Sequence, residues 1–182
     1  MTVILLAGMP GAGKEEFLRV ARKKGFEIAR MGDVVRDQAE MRKEQRKERE
    51  TIGEFADKER EEHHEGIWAD RTLSRVTQDK TVIDGIRSQV EVSIFKSDLD
   101  KEARTVAVHA SPETRFERLR ERSREDAPNT WNEFNERDSR ELKWGLGRVI
   151  AKADHMIVNE GSLDEYHDKV REILSDISAL EE

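Results

Sequence analysis

The segment Gly8-Met9-Pro10-Gly11-Ala12-Gly13-Lys14 carries the most specific chemical pattern in this sequence. It fits G-x-x-x-x-G-K, and it lies directly between the apolar run Thr2 to Ala7 and a stretch with helical apolar spacing, Lys14 to Lys24. Glycines let a backbone wrap around an anion, successive N–H groups and a helix N-terminus point at it, and the lysine reaches the β- and γ-phosphates. The segment therefore predicts a phosphate-binding loop for a nucleoside triphosphate, which we interpret as ATP with Mg²⁺.

Glu15 departs from the usual form of this motif, in which Ser or Thr places a hydroxyl group on Mg²⁺. A carboxylate at this position can ligate the metal, hold it through water, or turn outward at the helix start, where the helix dipole favours negative charge. It can also repel the triphosphate. The sequence leaves these alternatives open, and they bear on catalysis more than on the fold.

Charged residues also follow the second and third predicted strands. Met31-Gly32-Asp33-Val34-Val35-Arg36 comes after the strand expected around Phe26 to Arg30, and Asp84-Gly85-Ile86-Arg87 comes after the one at Thr81 to Ile83. In a parallel sheet, the C-terminal ends of the strands open on the edge that carries the phosphate-binding loop. Both clusters are therefore expected to face one crevice together with Lys14.

This placement gives four charged residues of the two clusters candidate roles in phosphoryl transfer. Asp84 is placed to hold the hydration shell of Mg²⁺, while Arg36 and Arg87 can clamp the phosphate of an acceptor molecule. Asp33 can orient or deprotonate the acceptor. Each residue alone is more often a turn residue or part of a surface ion pair, so the interpretation depends on their shared position after successive strands.

The density of arginine peaks later in the chain. The residues concerned are Arg115, Arg118, Arg120, Arg122, Arg124, Arg137 and Arg140. Phosphoryl transfer asks mainly for positive charge around the moving group, and a loop flanked by arginines can close over a triphosphate and expel water. Ser123 to Asn135, with Pro128 and few apolar residues, is predicted to be this lid-like loop. The alternative is a solvated helix whose arginines pair with glutamates at i,i+4 spacing.

Strands and helices alternate along the chain, which predicts parallel pairing. With two more strands expected at Thr105 to His109 and His155 to Val158, we predict a three-layer α/β/α fold with a five-stranded parallel sheet of order 2-3-1-4-5. A length of 182 residues fits one domain. Residues 37 to 77 are interpreted as a helical insertion on the acceptor side, in which the charged stretch Asp37 to Glu50 is either an exposed helix or a mobile arm.

Three helix starts can also be identified. Thr51 with Glu54, and Ser162 with Glu165, have capping-box spacing. Ser111 precedes Pro112, and proline at the first helical position loses no hydrogen bond that the helix needs.

Composition excludes several function classes. The formal charge of −7 disfavours nonspecific binding to nucleic acid or to an anionic membrane. Because cysteine is absent, disulfides, cysteine-zinc sites and thiol catalysis are excluded. The run Val3 to Ala7 is too short to span a membrane and lacks the flanks of a signal peptide, so a cytoplasmic protein is expected.

The motifs together resemble the nucleoside monophosphate kinases of the adenylate kinase type, which have Gly-Asp-x-x-Arg and Asp-Gly-x-Pro-Arg elements in these places. Ile86 stands where that family has proline. The resemblance implies that Arg36 and Arg87 contact the acceptor phosphate and that Arg122 and Arg137 are lid-side arginines. That family often has glycine after the lysine of the loop and holds Mg²⁺ through water.

The run Ala153 to Leu163 resembles dephospho-coenzyme A kinase, in which the equivalent loop borders adenine. This implies that Asn159 and Gly161, opposite the Arg118 region, line the adenine site. Over nearly its full length the sequence resembles an archaeal family of P-loop kinase-like proteins, the UPF0200 type. Three segments carry this resemblance together with the Ala153 to Leu163 run, namely Met31 to Arg36, Asp84-Gly85-Ile86-Arg87-Ser88 and Ala110 to Arg118. Its members are described as ATP-binding.

Two hypotheses about function follow from these residues. The first is a kinase that transfers the γ-phosphoryl group of ATP to a small nucleotide or nucleotide-like acceptor, with no nucleic acid or membrane partner. The second is a slow ATPase that acts as a switch or assembly factor on a protein or RNA partner. Its support is Glu15 and the charged stretch Asp37 to Glu50, which is larger than a small acceptor needs.

Overall fold

A parallel sheet forms the centre of the fold in the computed structural model, which describes residues 1–42, 51–99, 102–122 and 127–179. Its five strands are β1 (Thr2–Ala7), β2 (Glu27–Arg30), β3 (Lys80–Asp84), β4 (Arg104–His109) and β5 (His155–Val158). They are ordered β2-β3-β1-β4-β5, and every neighbouring pair is parallel. The predicted fold class and strand order are confirmed.

Helices cover both faces of this sheet. They are α1 (Lys14–Lys23), α2 (Met31–Met41), α3 (Ile52–Glu62), α4 (Ile67–Leu73), α5 (Gln89–Asp98), α6 (Pro112–Glu121), α7 (Trp131–Lys143), α8 (Leu146–Ala151) and α9 (Leu163–Ala179). Successive side chains of β1 point to opposite faces, so Val3 and Leu5 pack on the side of α2, α4, α5 and α8, whereas Ile4 and Leu6 pack against α1 and α9. A strand buried on both faces needs a continuous apolar run, which is what β1 has.

The predicted helix starts are confirmed by their hydrogen bonds. Thr51 and Glu54 form a capping box at α3, and the Ser111 hydroxyl accepts from the backbone N–H of Thr114 at α6. At α9, the Ser162 hydroxyl accepts from the backbone N–H of Glu165 at 3.3 Å. These local bonds satisfy N–H groups that the first helical turn leaves without partners.

The predicted lid-like loop Ser123 to Asn135 is too long at its C-terminal end. Helix α7 begins at Trp131, with the hydroxyl of Thr130 accepting from Glu133 N–H. The helix forms because Phe134 is fully buried and its ring lies 5.5 Å from that of Phe116 on α6. Residues 127–130 are irregular, and 123–126 lie outside the described residues.

The acceptor-side segment 37–77 contains the end of α2 and the whole of α3 and α4. Within the charged stretch Asp37 to Glu50, α2 ends at Met41, and residues 43–50 lie outside the described part of the chain. The division into one domain with an acceptor-side insertion stays a prediction. In the parts of the chain that the structure describes, no helix is both long and apolar enough to cross a membrane.

Candidate active site

The loop between β1 and α1 has the backbone shape that a phosphate-binding loop requires. Gly11 and Gly13 have φ values of +82° and +113°, in the left-handed region that favours glycine. A Cβ atom on Gly11 would lie 2.7 Å from the carbonyl oxygen of Arg115, and one on Gly13 would lie 2.2 Å from Nδ2 of Asn159. Glycine is therefore needed at both positions for conformation and for close packing.

Side chains from the C-terminal part of the chain hold this loop in place. The Asn159 side chain donates a hydrogen bond from Nδ2 to the carbonyl oxygen of Ala12 at 2.9 Å, and the Tyr166 hydroxyl donates to that of Gly13 at 3.0 Å. Asn159 is buried, so the structure gives its amide a supporting role that the sequence did not predict. Its predicted place beside adenine stays a prediction, as does that of Gly161, which is exposed.

Arg115 links the loop to two helices. Its guanidinium donates to the carbonyl oxygen of Pro10 at 3.2 Å and forms a bidentate pair with Asp138 of α7, at 2.9 and 2.5 Å. The residue is 3% exposed, and its guanidinium lies 4.8 Å from the centre of the Phe134 ring. In the sequence this arginine is one of a dense group, and in the structure it supports the loop.

A cavity of about 240 Å³ opens beside the loop at the C-terminal edge of the sheet. It is lined by Gly8, Pro10, Lys14, Glu15, Arg30, Gly32, Arg36, Asp84, Gly85, Ile86, Arg87, Arg137, Glu141 and Leu146. The structure thus brings together residues that the sequence placed at the ends of three separate strands. Asp84 and Arg87 lie on the same edge as Lys14, as the parallel topology predicts.

Lys14 and Asp84 are two residues of opposite charge that line this cavity. The Lys14 ammonium donates to the carbonyl oxygen of Gly8 at 2.5 Å. Burial lowers the pKa of Lys14, although the negative charge of Asp84 opposes this shift. Burial likewise raises the pKa of the Asp84 carboxyl group, against the effect of Lys14 and Arg30. Such opposed shifts are typical of functional sites, where charges are kept away from water.

Asp84 is the residue best suited to a metal ion. Its Oδ1 atom is buried and has no hydrogen-bond partner in the described part of the chain, so an oxygen ligand is available there. The described residues contain no group of three or more His, Cys, Asp or Glu that could hold a metal alone. This fits Mg²⁺, which is usually held by one or two carboxylates together with phosphate oxygens and water.

Replacing Asp84 by Asn is expected to stabilise the protein by on the order of 1 kcal/mol at neutral pH. Because burial raises the pKa of Asp84, the folded state holds its proton more tightly than the unfolded state does. The wild type therefore loses stability as pH rises from the ordinary carboxyl value through the raised one, and the advantage of Asp84→Asn should disappear below that window. Urea unfolding at pH 7 and at pH 3.5 (about the ordinary value) measures this; Asp168→Asn, at an exposed residue, is the control. A less stable Asp84→Asn at neutral pH would contradict the expectation.

Arg87 is held by a partner that was not predicted from the sequence. Its Nε atom donates to Glu141 Oε2 of α7 at 2.9 Å, and its Nη1 donates to the carbonyl oxygen of Gly85 at 3.2 Å. Its guanidinium also lies 5.2 Å from the centre of the Trp144 ring. The signal for Glu141 was its position four residues after Arg137, which puts both on one face of α7.

Arg30 is the second missed residue. It ends β2 directly opposite Asp84 in the parallel register, and its Nη2 atom lies 2.8 Å from Oε2 of Glu15. Its position at the end of a strand could have identified it, since the same position identified the charged clusters after the second and third strands. The carboxylate of Glu15 is therefore bound by an arginine, an arrangement that was not among the alternatives considered from the sequence.

Three of the charged residues predicted for the site do not line the cavity within the described part of the chain. Asp33 forms an exposed ion pair with Arg36 at the start of α2. Arg122 is exposed at the end of α6. Arg118 is half-buried, with one guanidinium nitrogen, Nη1, buried and without a hydrogen-bond partner among the described residues. Their proposed roles toward acceptor and nucleotide stay predictions.

The sheet order, the glycine loop between β1 and α1, and the charged cavity at the strand ends define a P-loop kinase-like protein. Solved structures with this fold include shikimate kinase from Bacteroides thetaiotaomicron, with a TM-score of 0.63 and 15% identity, covering 96% of this chain and 98% of that one. Shikimate kinase from Acinetobacter baumannii in complex with shikimate gives a TM-score of 0.65 and 18% identity, covering 98% and 94%. At these identities the likeness concerns the fold alone.

The chain belongs to the UPF0200 family. A UPF0200 protein of Hyperthermus butylicus is 46% identical over 176 residues, covering 95% of this chain and 93% of the relative. One from Thermoplasma acidophilum is 44% identical over 175 residues, covering 96% of each. A family model described as an AAA domain also matches residues 7–135, which contain the loop and most of the cavity-lining residues.

Proposed function

We propose that this protein is a Mg²⁺-dependent phosphotransferase of the cytoplasm, which moves the γ-phosphoryl group of ATP to a small nucleotide or nucleotide-like acceptor. The observation that carries the proposal is the charge of the cavity. Five cationic side chains line it, those of Lys14, Arg30, Arg36, Arg87 and Arg137, against three carboxylates, those of Glu15, Asp84 and Glu141. Phosphoryl transfer depends on positive groups that are fixed around the phosphates before the reaction begins.

In this proposal the triphosphate lies on the backbone of Gly8 to Lys14, and the acceptor enters from the side of Arg36 and Arg87. An acceptor oxygen attacks the γ-phosphorus in line with the bond to the bridging oxygen, which breaks and leaves on ADP. Lys14 and Arg137, which both line the cavity, would neutralise the charge of the moving group. Asp84 would hold Mg²⁺, which would supply positive charge to the phosphate groups. Asp33 would receive the proton of an acceptor hydroxyl.

A second crevice provides space for the rest of the acceptor. It has a volume of about 140 Å³ and shares Arg87 with the first cavity. Its other lining residues are Arg60, Glu65, Ser88, Glu91, Lys143 and Trp144. Since Arg87 lies between the two spaces, an acceptor phosphate on this arginine would have its remaining part in the crevice.

A panel of acceptors tests the proposal. Production of ADP should rise at least about tenfold over the basal rate with one nucleoside monophosphate, dephospho-coenzyme A or a related compound, and phosphorylated acceptor should form in equal amount. The stoichiometry separates transfer from stimulated hydrolysis. Slow ATP turnover that is indifferent to every acceptor would contradict the kinase and favour the switch or assembly factor, which acts on a protein or RNA partner.

A further inference from the structure

The position of Glu15 creates an electrostatic problem for a nucleotide-binding loop. It is the second residue of α1, directly after Lys14, and both side chains line the cavity. A carboxylate this close to a triphosphate repels it, and the repulsion is strong where water is partly excluded. An uncompensated Glu15 would therefore work against the loop that precedes it.

The structure compensates this charge with a residue from another element. Arg30, at the end of β2, places Nη2 at 2.8 Å from Oε2 of Glu15. The two side chains are 25% and 35% exposed, so the pair is shielded from water more than a typical surface ion pair. Burial lowers the pKa of Arg30, but the hydrogen bond and the charge of Glu15 outweigh it and raise that pKa, so the arginine stays charged.

The next residue of α1 shows that the contact is particular to position 15. Glu16 also carries a carboxylate in the first turn, but it pairs with Arg19 at 3.3 Å and with His167 of α9 at 3.1 Å. It is not among the residues that line the cavity. Glu16 is thus a matched acidic residue that faces away from the proposed phosphate site.

We propose that Arg30 is the counter-charge of Glu15, and that it holds this carboxylate away from the bound triphosphate and neutralises it. The inference rests on the proposed binding of nucleotide at the loop and answers how a P-loop tolerates glutamate after its lysine. It assigns Glu15 a pairing role in place of metal ligation. The two residues then act as a unit. Glu15 without Arg30 repels the triphosphate, whereas Arg30 without Glu15 does not.

This asymmetry gives a test by a double-mutant cycle. Arg30→Ala exposes the carboxylate and should weaken binding of a non-hydrolysable ATP analogue about tenfold, which corresponds to about 1.4 kcal/mol. Glu15→Ser removes that carboxylate, so Arg30→Ala in the Glu15→Ser background should lose at least about threefold less affinity than it does in the wild type. Titration calorimetry with the analogue and with inorganic tripolyphosphate, each with excess Mg²⁺ and with EDTA, measures all four proteins.

Two further variants distinguish pairing from damage to the fold. Arg30→Lys keeps the positive charge and should retain most of the affinity. Glu16→Ser, added to Arg30→Ala, should not restore binding, because Glu16 pairs on another side of the helix. If Glu16→Ser rescues as well as Glu15→Ser does, the effect is a general one of net charge and the specific pairing is refuted.

The outcomes separate this inference from the proposed function. If the wild type binds neither the ATP analogue nor tripolyphosphate, both the proposed function and the pairing inference are contradicted. If the wild type binds and the two substitutions are additive, Arg30 does not act through Glu15, and only the pairing is overturned. If Glu15→Ser removes the gain in affinity that Mg²⁺ gives, Glu15 is a metal ligand, which also overturns it.

Discussion

Replacement of Lys14 by Ala is expected to weaken ATP binding by roughly a hundredfold or more, since charge-assisted hydrogen bonds to phosphate are each worth roughly 1.5 to 3 kcal/mol. Lys14 lies at the start of α1, and its ammonium group is within hydrogen-bond distance of the carbonyl oxygen of Gly8, so it is held over the loop. No other ammonium group is among the cavity-lining residues of the described chain. Titration calorimetry with a non-hydrolysable ATP analogue measures the loss.

The matched control for this variant is Lys24→Ala. Lys24 is exposed at the other end of the same helix, where its ammonium group contacts the hydroxyl of Ser175. Its removal should leave the affinity for ATP within about twofold, as expected for a surface substitution. Thermal unfolding of both variants tests whether the fold persists. An unchanged affinity in a folded Lys14→Ala protein would remove the P-loop assignment and, with it, the proposed function.

The fold could be predicted from the sequence because its signals are local. The continuous apolar run of β1, the capping residues before α3, α6 and α9, and the alternation of strands and helices each depend on near neighbours in the chain. The start of α7 was missed although Thr130 and Glu133 have the same capping spacing, because the local apolar pattern of this helix is weak. Phe134 supports this helix through contacts with Phe116 on another helix. The stretch around it has too few apolar residues to show helical spacing in the sequence.

The site could be predicted only as far as the sheet determines it. Lys14, Asp84 and Arg87 lie at or after the C-terminal ends of strands, and parallel topology places such residues at one edge of the sheet. The partners of these residues could not be predicted, because the pairing of Arg87 with Glu141 joins positions 54 residues apart through the packing of α7. The same applies to Arg30 and Glu15, which meet only when β2 lies beside β3.

Replacement of Arg87 by Ala is expected to leave ATP binding within about threefold while it raises the KM for the acceptor about a hundredfold. The reason is that a bidentate guanidinium on a phosphate contributes at least two charge-assisted hydrogen bonds, each of roughly 1.5 kcal/mol or more. Steady-state kinetics with the acceptor that the panel identifies, together with calorimetry of the ATP analogue, separate the two effects. Arg171→Ala, at an exposed arginine of α9, is the control.

Arg87 also has a structural contact, so the variant must be separated from simple destabilisation. Its removal leaves the carboxylate of Glu141, 12% exposed, without this partner, and such a group costs about 1 to 3 kcal/mol. Arg87→Ala with Glu141→Gln removes the charge that is left behind and should recover much of that stability in urea unfolding, but it should not recover the acceptor KM. Arg87→Lys should recover the KM only in part, because an ammonium group cannot bind phosphate in a bidentate manner. A KM for the acceptor that is unaffected in folded Arg87→Ala protein would show that this arginine does not hold the acceptor phosphate.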